Sequence, residues 1–213
     1  MHSPDSKAKA LVGSAHPRDP EAIMSQLIES KPSETIQEPD GRATDHFDLP
    51  TDEATLLRLF KLLFEKYADQ IVFGTCIQGS VFEIHIDQPA ELTMLDGYLT
   101  VDVGTWHFHL CIGEHKGTKR APTSPALAQH RRVKRAALFR TVGPSCTPAS
   151  WGLRLWNGQD EQMITVFFPN PYINEKGNRQ GRPDWSRLEL WDLVRQEFLG
   201  MGPDPRDREH DTV

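Results

Sequence analysis

The residues best suited to chemistry crowd into one stretch, Trp106-His107-Phe108-His109-Leu110-Cys111-Ile112, followed by Gly113-Glu114-His115. Side chains alternate faces along a strand, so Trp106, Phe108, Leu110 and Ile112 fall on one apolar side and His107, His109 and Cys111 on the other. Side chains two positions apart stand ~6.6 Å from one another on a regular strand, close enough for two imidazoles to converge on one ion. Gly113 then lets the chain turn, bringing Glu114 and His115 back towards the same face. Residues 81–87 repeat the pattern, with Phe82, Ile84 and Ile86 on one side and Glu83, His85 and Asp87 on the other. In a shared sheet with matched apolar faces, His85 would look onto the surface that carries His107 and His109. Neutral imidazoles plus a carboxylate are donors for zinc or iron. The expected metal ligands are therefore His107, His109, His115 and His85, with Glu83 or Glu114 as the base beside an open coordination position.

A basic stretch adjoins this segment. Residues 116–140 hold Lys116, Lys119, Arg120, Arg131, Arg132, Lys134, Arg135 and Arg140 and no acidic residue, inside a chain whose net charge is −6. The acidic balance argues against a general nucleic-acid binder, and a small anionic molecule gripped by arginine is the economical partner. Ser124-Pro125 reads as an N-cap and first helical position, so 125–140 is expected to be a helix with His130 on its docking face as a further catalytic candidate. Arg131 and Arg135 lie further round that helix. Arg154 shares a strand face with Trp156, and an arginine beside an aromatic ring suits a flat anion. Arg131, Arg135 and Arg154 are thus the expected cofactor- or substrate-binding residues.

The spacing His107-x-His109-x4-Glu114 is similar to the first metal motif of the cupin barrels over these positions alone. The following glycine, Gly117, falls early, and no later segment supplies the second motif, so the similarity is one of local spacing. A histidine, an aromatic wall and basic residues would also serve a non-covalent haem or tetrapyrrole, since no CxxCH attachment motif exists. GxSxG, Walker A and GxGxxG motifs are all lacking.

Elements must position these residues. Residues 1–18 read as disordered, 20–29 as a short helix, and 30–50 as a coil that wraps or links. Thr51 caps a helix to about Ala68 whose stripe is Leu56, Leu59, Phe60, Leu63 and Tyr67. Segments 71–77, 81–87, 92–103 and 106–112, then 151–156 and 162–168, are short and rich in β-branched and aromatic residues, which predicts antiparallel strands. Residues 169–183 form a long loop, a candidate lid. Ser186 and Glu189 suit a capping box, with Asp184 a competing cap, for a last helix stopped by Gly200. Residues 201–213 read as a flexible tail.

The 213 residues are 38% hydrophobic and 25% charged, enough apolar material for one core and no run long enough to span a membrane. Three separated cysteines and no signal-like N-terminus point to a cytoplasmic chain. The expected fold is α+β, a predominantly antiparallel sheet with one face covered by helices, in one compact domain over 51–200. The expected function is a metal-dependent enzyme, iron or zinc, acting on a small anion. The alternatives are a haem or tetrapyrrole binder and a metal-free interaction module that uses the basic helix. Oligomeric state is left open.

Overall fold

The computed structural model describes residues 31–38, 41–77, 79–142 and 150–208. The predicted 20–29 helix, Cys146 and the last five residues lie outside them. Strand outweighs helix, 37% to 26%, which with the antiparallel pairing places the chain in the mixed α+β class. A seven-stranded sheet has the order β1 (Glu34–Gln37), β2 (Ala43–Leu49), β10 (Val133–Val142), β11 (Ser150–Asn157), β12 (Gln162–Phe167), β3 (Val72–Gly74) and β6 (Ile84–His85). A separate three-stranded sheet joins β7 (Glu91–Leu95), β8 (Tyr98–Asp102) and β9 (His107–Cys111), and β4 (Cys76–Ile77) pairs with β5 (Ser80–Val81). Among the described residues the α-helices are α1 (Glu53–Lys61), continued by a π-helical turn at Leu62–Lys66, α2 (Pro125–Arg131) and α3 (Glu189–Leu199).

Two expectations change at the centre of the large sheet. The stretch expected as a coil over 30–50 carries two strands, because β2 pairs with β1 on one side and β10 on the other. The 125–140 segment is not one helix. Ser124 caps α2 as expected, its side chain accepting from Leu127 N–H, but the helix stops at Arg131 and β10 begins at Val133. The reason is burial on both faces. Ala136, Leu138 and Arg140 point one way and Ala137, Phe139 and Thr141 the other, and all six are buried. A strand of that kind shows no alternation, and its Ala-Ala-Leu run mimics a helix. Arg135 and Arg140 therefore stand on opposite faces of an inner strand, with no helix between them.

One row of directly paired residues, Phe47, Leu138, Leu153 and Val166, enters the main core. Phe47 meets Trp191 of α3 edge to face, and Arg58 of α1 lies over the ring of Phe198. Phe64 touches both Phe73 on β3 and Phe108 on β9, so one aromatic ring ties the two larger sheets together. Asp52 rather than Thr51 caps α1, accepting from Thr55 N–H. Asp184, not Ser186, caps the turn leading into α3, and Gly200 ends it at φ 68°. The 169–183 loop is tied across itself by Gln180, which donates to the Pro171 carbonyl, and to the turn before α3 by Arg187, which donates to that of Asn170.

The expected loose tail is also corrected as far as residue 208. Asp204 and Asp207 are buried, and both accept from Arg140 Nη1, at 2.9 and 3.0 Å. Asp45 takes the Arg140 Nε at 2.9 Å. Asp207 further accepts the indole N–H of Trp151 and of Trp191, at 3.1 and 2.8 Å. Burial by itself would raise the Asp204 carboxyl, but the hydrogen bonds from Arg206 and the Arg140 charge outweigh it and hold it below the usual carboxylate range. Breaking a buried, hydrogen-bonded charge cluster costs far more than breaking a surface pair. Asp207→Ala, which removes one of the three carboxylates on Arg140, the carboxylate 3.7 Å from the buried Arg195 and the acceptor of two indole N–H groups, is expected to lose about 3–5 kcal/mol in urea unfolding. Glu197→Ala, which removes the exposed partner of Arg58, should stay within about 1 kcal/mol of the parent.

Candidate functional site

The histidines predicted to share one surface are dispersed. His107 and His109 are exposed on β9, their rings 5.0 Å apart and edge to face, with His109 Nδ1 bonded to Thr100 Oγ1. Their strand alternates as expected, since Leu110 and Ile112 are buried. His85 belongs to the other sheet, paired opposite Val72, and its Nε2 meets the Asp69 carbonyl at 3.0 Å. The shared face fails because β6 and β9 never pair. Glu83 is exposed in the connection between β5 and β6. Among the described residues no three His, Cys, Asp or Glu side chains come together in a way that could hold a metal ion.

His115 sits in a different setting. The hairpin between β7 and β8 turns at Asp96-Gly97, with φ of 48° and 81°, the pair of left-handed residues that a two-residue type I′ turn demands. This turn aims the Asp96 carboxylate at the segment after β9. It accepts the Lys116 and Gly117 backbone N–H groups, each at 2.9 Å, and lies 2.9 Å from His115 Nδ1. These bonds, the Lys116 N–H first, hold the Asp96 carboxyl below its ordinary range. On the far side of the ring, Arg131 Nη1 stands 3.1 Å from His115 Nε2. A guanidinium only donates, so Nε2 carries the lone pair and Nδ1 the proton. The Tyr98 ring packs edge-on against the imidazole at 5.0 Å.

Beneath this arrangement Cys111 is buried opposite Tyr98 on β8. Burial raises its thiol, with Arg132 and Arg131 opposing, and raises the Tyr98 phenol as well. Cys111 is therefore a buried thiol whose burial favours the protonated form. Beside His115 opens a cleft of about 370 Å³ lined by Glu114, His115, Gln129, Arg132 and Lys134, with Gly158 at its wall. A side chain at Gly158 would strike the Gln129 carbonyl, so glycine is needed for α2 to approach the β11–β12 connection. The 169–183 loop contributes none of the lining, and Glu114 is exposed with Lys116 at 3.2 Å.

Three of the predicted residues, Glu114, His115 and Arg131, thus converge at the C-terminal end of α2, joined by Arg132. His130 does not face the core. Its Nε2 pairs with Glu161 at 2.9 Å, and that bond, with one from Asn157, draws the Glu161 carboxyl down. Arg135 and Arg154 lie on the large sheet, so Arg154 does not share a surface with His107 and His109. Arg135 stacks on Trp156 at 4.9 Å and pairs with Asp48 and Glu34. Arg154 lies over the ring of Phe139 at 4.3 Å. Two functional candidates escaped the sequence reading. Asp96 was hidden in a turn signal, Asp-Gly inside a hydrophobic run, and His46 in a segment too polar to read as a strand.

If Asp96 sets the state of His115, Asp96→Asn should disturb the ring before it disturbs the fold. An amide keeps one acceptor oxygen and replaces the other with a donor. Long-range ¹H–¹⁵N spectra should then show mixed His115 tautomers, with faster amide exchange at Lys116 and Gly117. A single unchanged tautomer would show that Asp96 merely closes the loop.

No curated protein and no solved structure matches the chain. A model of a family of unknown function, DUF7676, matches residues 33–200, from just before β1 to the end of α3. With most of its length matched, the chain belongs to that family.

Proposed function

We propose that the chain binds a small anionic molecule in the cleft beside α2, with His115 as the acid–base group. The observation that carries this reading is the oriented imidazole at the cleft wall, its proton held on Nδ1 by Asp96 and its lone pair directed at Arg131. An imidazole fixed by a carboxylate behind it and open to a small cavity is the usual arrangement of a general base. Arg131 occupies that lone pair while no ligand competes. A carboxylate or phosphate that takes Arg131 and Arg132 forms stronger, charge-assisted bonds than a neutral imidazole can. Drawing the guanidinium off Nε2 would make the base available only when an anion is bound.

The metal-dependent form of this function has less support, because it rests on His107 and His109 and needs a further donor from elsewhere. The interaction-module alternative loses its long basic helix, which ends at Arg131. Nothing in the geometry favours a tetrapyrrole over a smaller anion.

Inorganic phosphate and citrate are suitable first probes. Titrating either into the protein is expected to give a saturable movement of the His115 ring resonances. The double variant Arg131→Gln/Arg132→Gln should weaken binding by roughly tenfold or more, the cost of losing charge-assisted hydrogen bonds. A His115 ring that stays still while either probe binds would sink the reading, as would undiminished binding by the double variant.

A further inference from the structure

The face of the large sheet away from the main core is also rich in polar groups. Pairing places Glu34, His46, Phe139, Gly152 and Phe167 in one row across β1, β2, β10, β11 and β12. Asp48, Ala137, Arg154, Thr165 and Gly74 form the next row. Inner strands normally fill such a face with apolar side chains or with paired polar ones. Here His46 is 1% exposed, and neither of its ring nitrogens has a hydrogen-bond partner. Trp156 meets it edge-on at 5.6 Å.

Arg154 stands on the neighbouring row. Its buried Nε has no partner, and among the described residues no carboxylate forms an ion pair with its guanidinium. The contrast with the other arginines of these strands is sharp. Arg135 reaches Asp48 at 3.0 Å and Glu34 at 2.9 Å, and Arg140 has three aspartates. The Arg154 guanidinium rests on the Phe139 ring, and Gly152 makes room for that ring, since a Cβ there would come within 2.8 Å of it. Cation–π contact compensates part of a lost hydration shell and leaves the N–H donors unused. Beside it Thr165 is fully buried, its hydroxyl accepting from Gln162.

We infer that this face is a second binding site, which takes the carboxylate or phosphate group of a small molecule between Arg154 and His46, with Trp156 as its aromatic wall. Arg154 and Trp156 are only half-buried, so an incoming group reaches the guanidinium without opening the sheet. An oxyanion supplies what each orphan lacks: acceptor oxygens for the guanidinium, and an acceptor for one imidazole N–H. The site shares no residue with the cleft beside α2 and stands or falls independently of it.

The charges around His46 add a signature. Burial first, then Arg135 and Arg154, push its pKa down to about 4 from 6.5, while Glu34 and Asp48 oppose weakly. Burial likewise lowers Arg154, against Glu38 and the Cys76 thiol, with Arg42 adding to the lowering. With its folded pKa depressed, His46 contributes stability that is complete above 6.5 and is lost as pH falls towards 4. An anion held between His46 and Arg154 offsets the two guanidinium fields and returns the imidazole towards its ordinary range. Binding then takes up a proton, and affinity rises as pH falls through that window.

Sulfate and benzoate test this as probes. Sulfate does not titrate in the window, and benzoate carries a flat ring for Trp156. Calorimetric titration of the full chain should detect one or both. Arg154→Met should remain folded, unfold at a higher temperature because a charged group with an unpartnered buried Nε is gone, and lose roughly tenfold to a hundredfold in affinity. Sulfate should bind more tightly as pH is lowered from 6.5, with the His46 ring resonances, assigned through His46→Gln, moving on saturation. Preference for sulfate would point to a phosphate-bearing ligand and preference for benzoate to an aromatic carboxylate. Binding unaltered in Arg154→Met, or neither probe binding the parent while the His46 resonances stay in place, would overturn the site. Arg131→Gln/Arg132→Gln should leave these titrations unchanged, which separates this site from the cleft.

Discussion

A cation placed on an inner strand must find its counter-charge within reach or go without, and this constraint organises the molecule. Strand β10 carries Arg135 on one face and Arg140 on the other; Arg140 is buried between β2 and β11, and Arg135 is half-buried opposite Trp156. Coulombic attraction strengthens as water leaves, but so does the cost of an unmet charge. The partners come from far along the chain. Arg135 draws Glu34 and Asp48 from the N-terminal hairpin, and Arg140 draws Asp45 from that hairpin and Asp204 and Asp207 from beyond α3. Two arginines on one strand thereby fasten both ends of the described chain to the centre of the sheet. The hydrogen bonds from Trp151 and Trp191 to Asp207 extend that fastening into the core, where a lone aspartate would otherwise be untenable.

The smaller sheet follows a different rule. It is held to the rest by aromatic contacts, Phe108 against Phe64 and Phe73 and Trp106 against Phe73. Orientation at its far end comes from Asp96, whose turn conformation spends backbone strain to put a carboxylate where two loop N–H groups and an imidazole need one. Because α2 ends beside that loop, the acceptor side of His115 meets Arg131 and not solvent. The cleft exists where these two units meet, and its chemistry is a consequence of a hairpin turn and a helix end coming together.

How much of this was legible in the sequence depends on what each element hides. Strand β9 read well because one side is apolar and the other polar, and β11 and β12 because Trp151, Leu153 and Leu155 mark a core face. α1 and α3 announced themselves by their stripes. The central strand was misread for the opposite reason: with Ala137 and Phe139 buried on one face and Ala136 and Leu138 on the other, period two vanishes. β2 was missed because Thr44, Asp45, His46 and Asp48 make it look solvated, although Thr44 and His46 are buried. Pairing with distant charges is what makes such a polar strand affordable, and no local pattern shows it. The same limit applied to the histidines. Alternation told correctly which face of β9 carries His107 and His109, but which strands lie next to that face is decided by topology, and β6 went to the other sheet.

Arg154 gains its meaning from this wider accounting. Arg135 and Arg140 are met two or three times over by carboxylates recruited from across the chain, and the buried Arg195 has Asp207 at 3.7 Å and the Gly202 carbonyl at 3.0 Å. One strand away, the same residue type on the same kind of inner strand is left with an aromatic ring beneath it, beside an imidazole whose two nitrogens are also unmet. Scarcity of acids does not explain the difference, since the chain carries 30 Asp and Glu against 24 Lys and Arg. Nor does distance from them, because Glu34 and Asp48 stand on the same face and are committed to Arg135. A fold that answers Arg135 and Arg140 so fully, and leaves Arg154 and His46 unanswered side by side, has its charge balance completed from outside, by a group that is itself an anion.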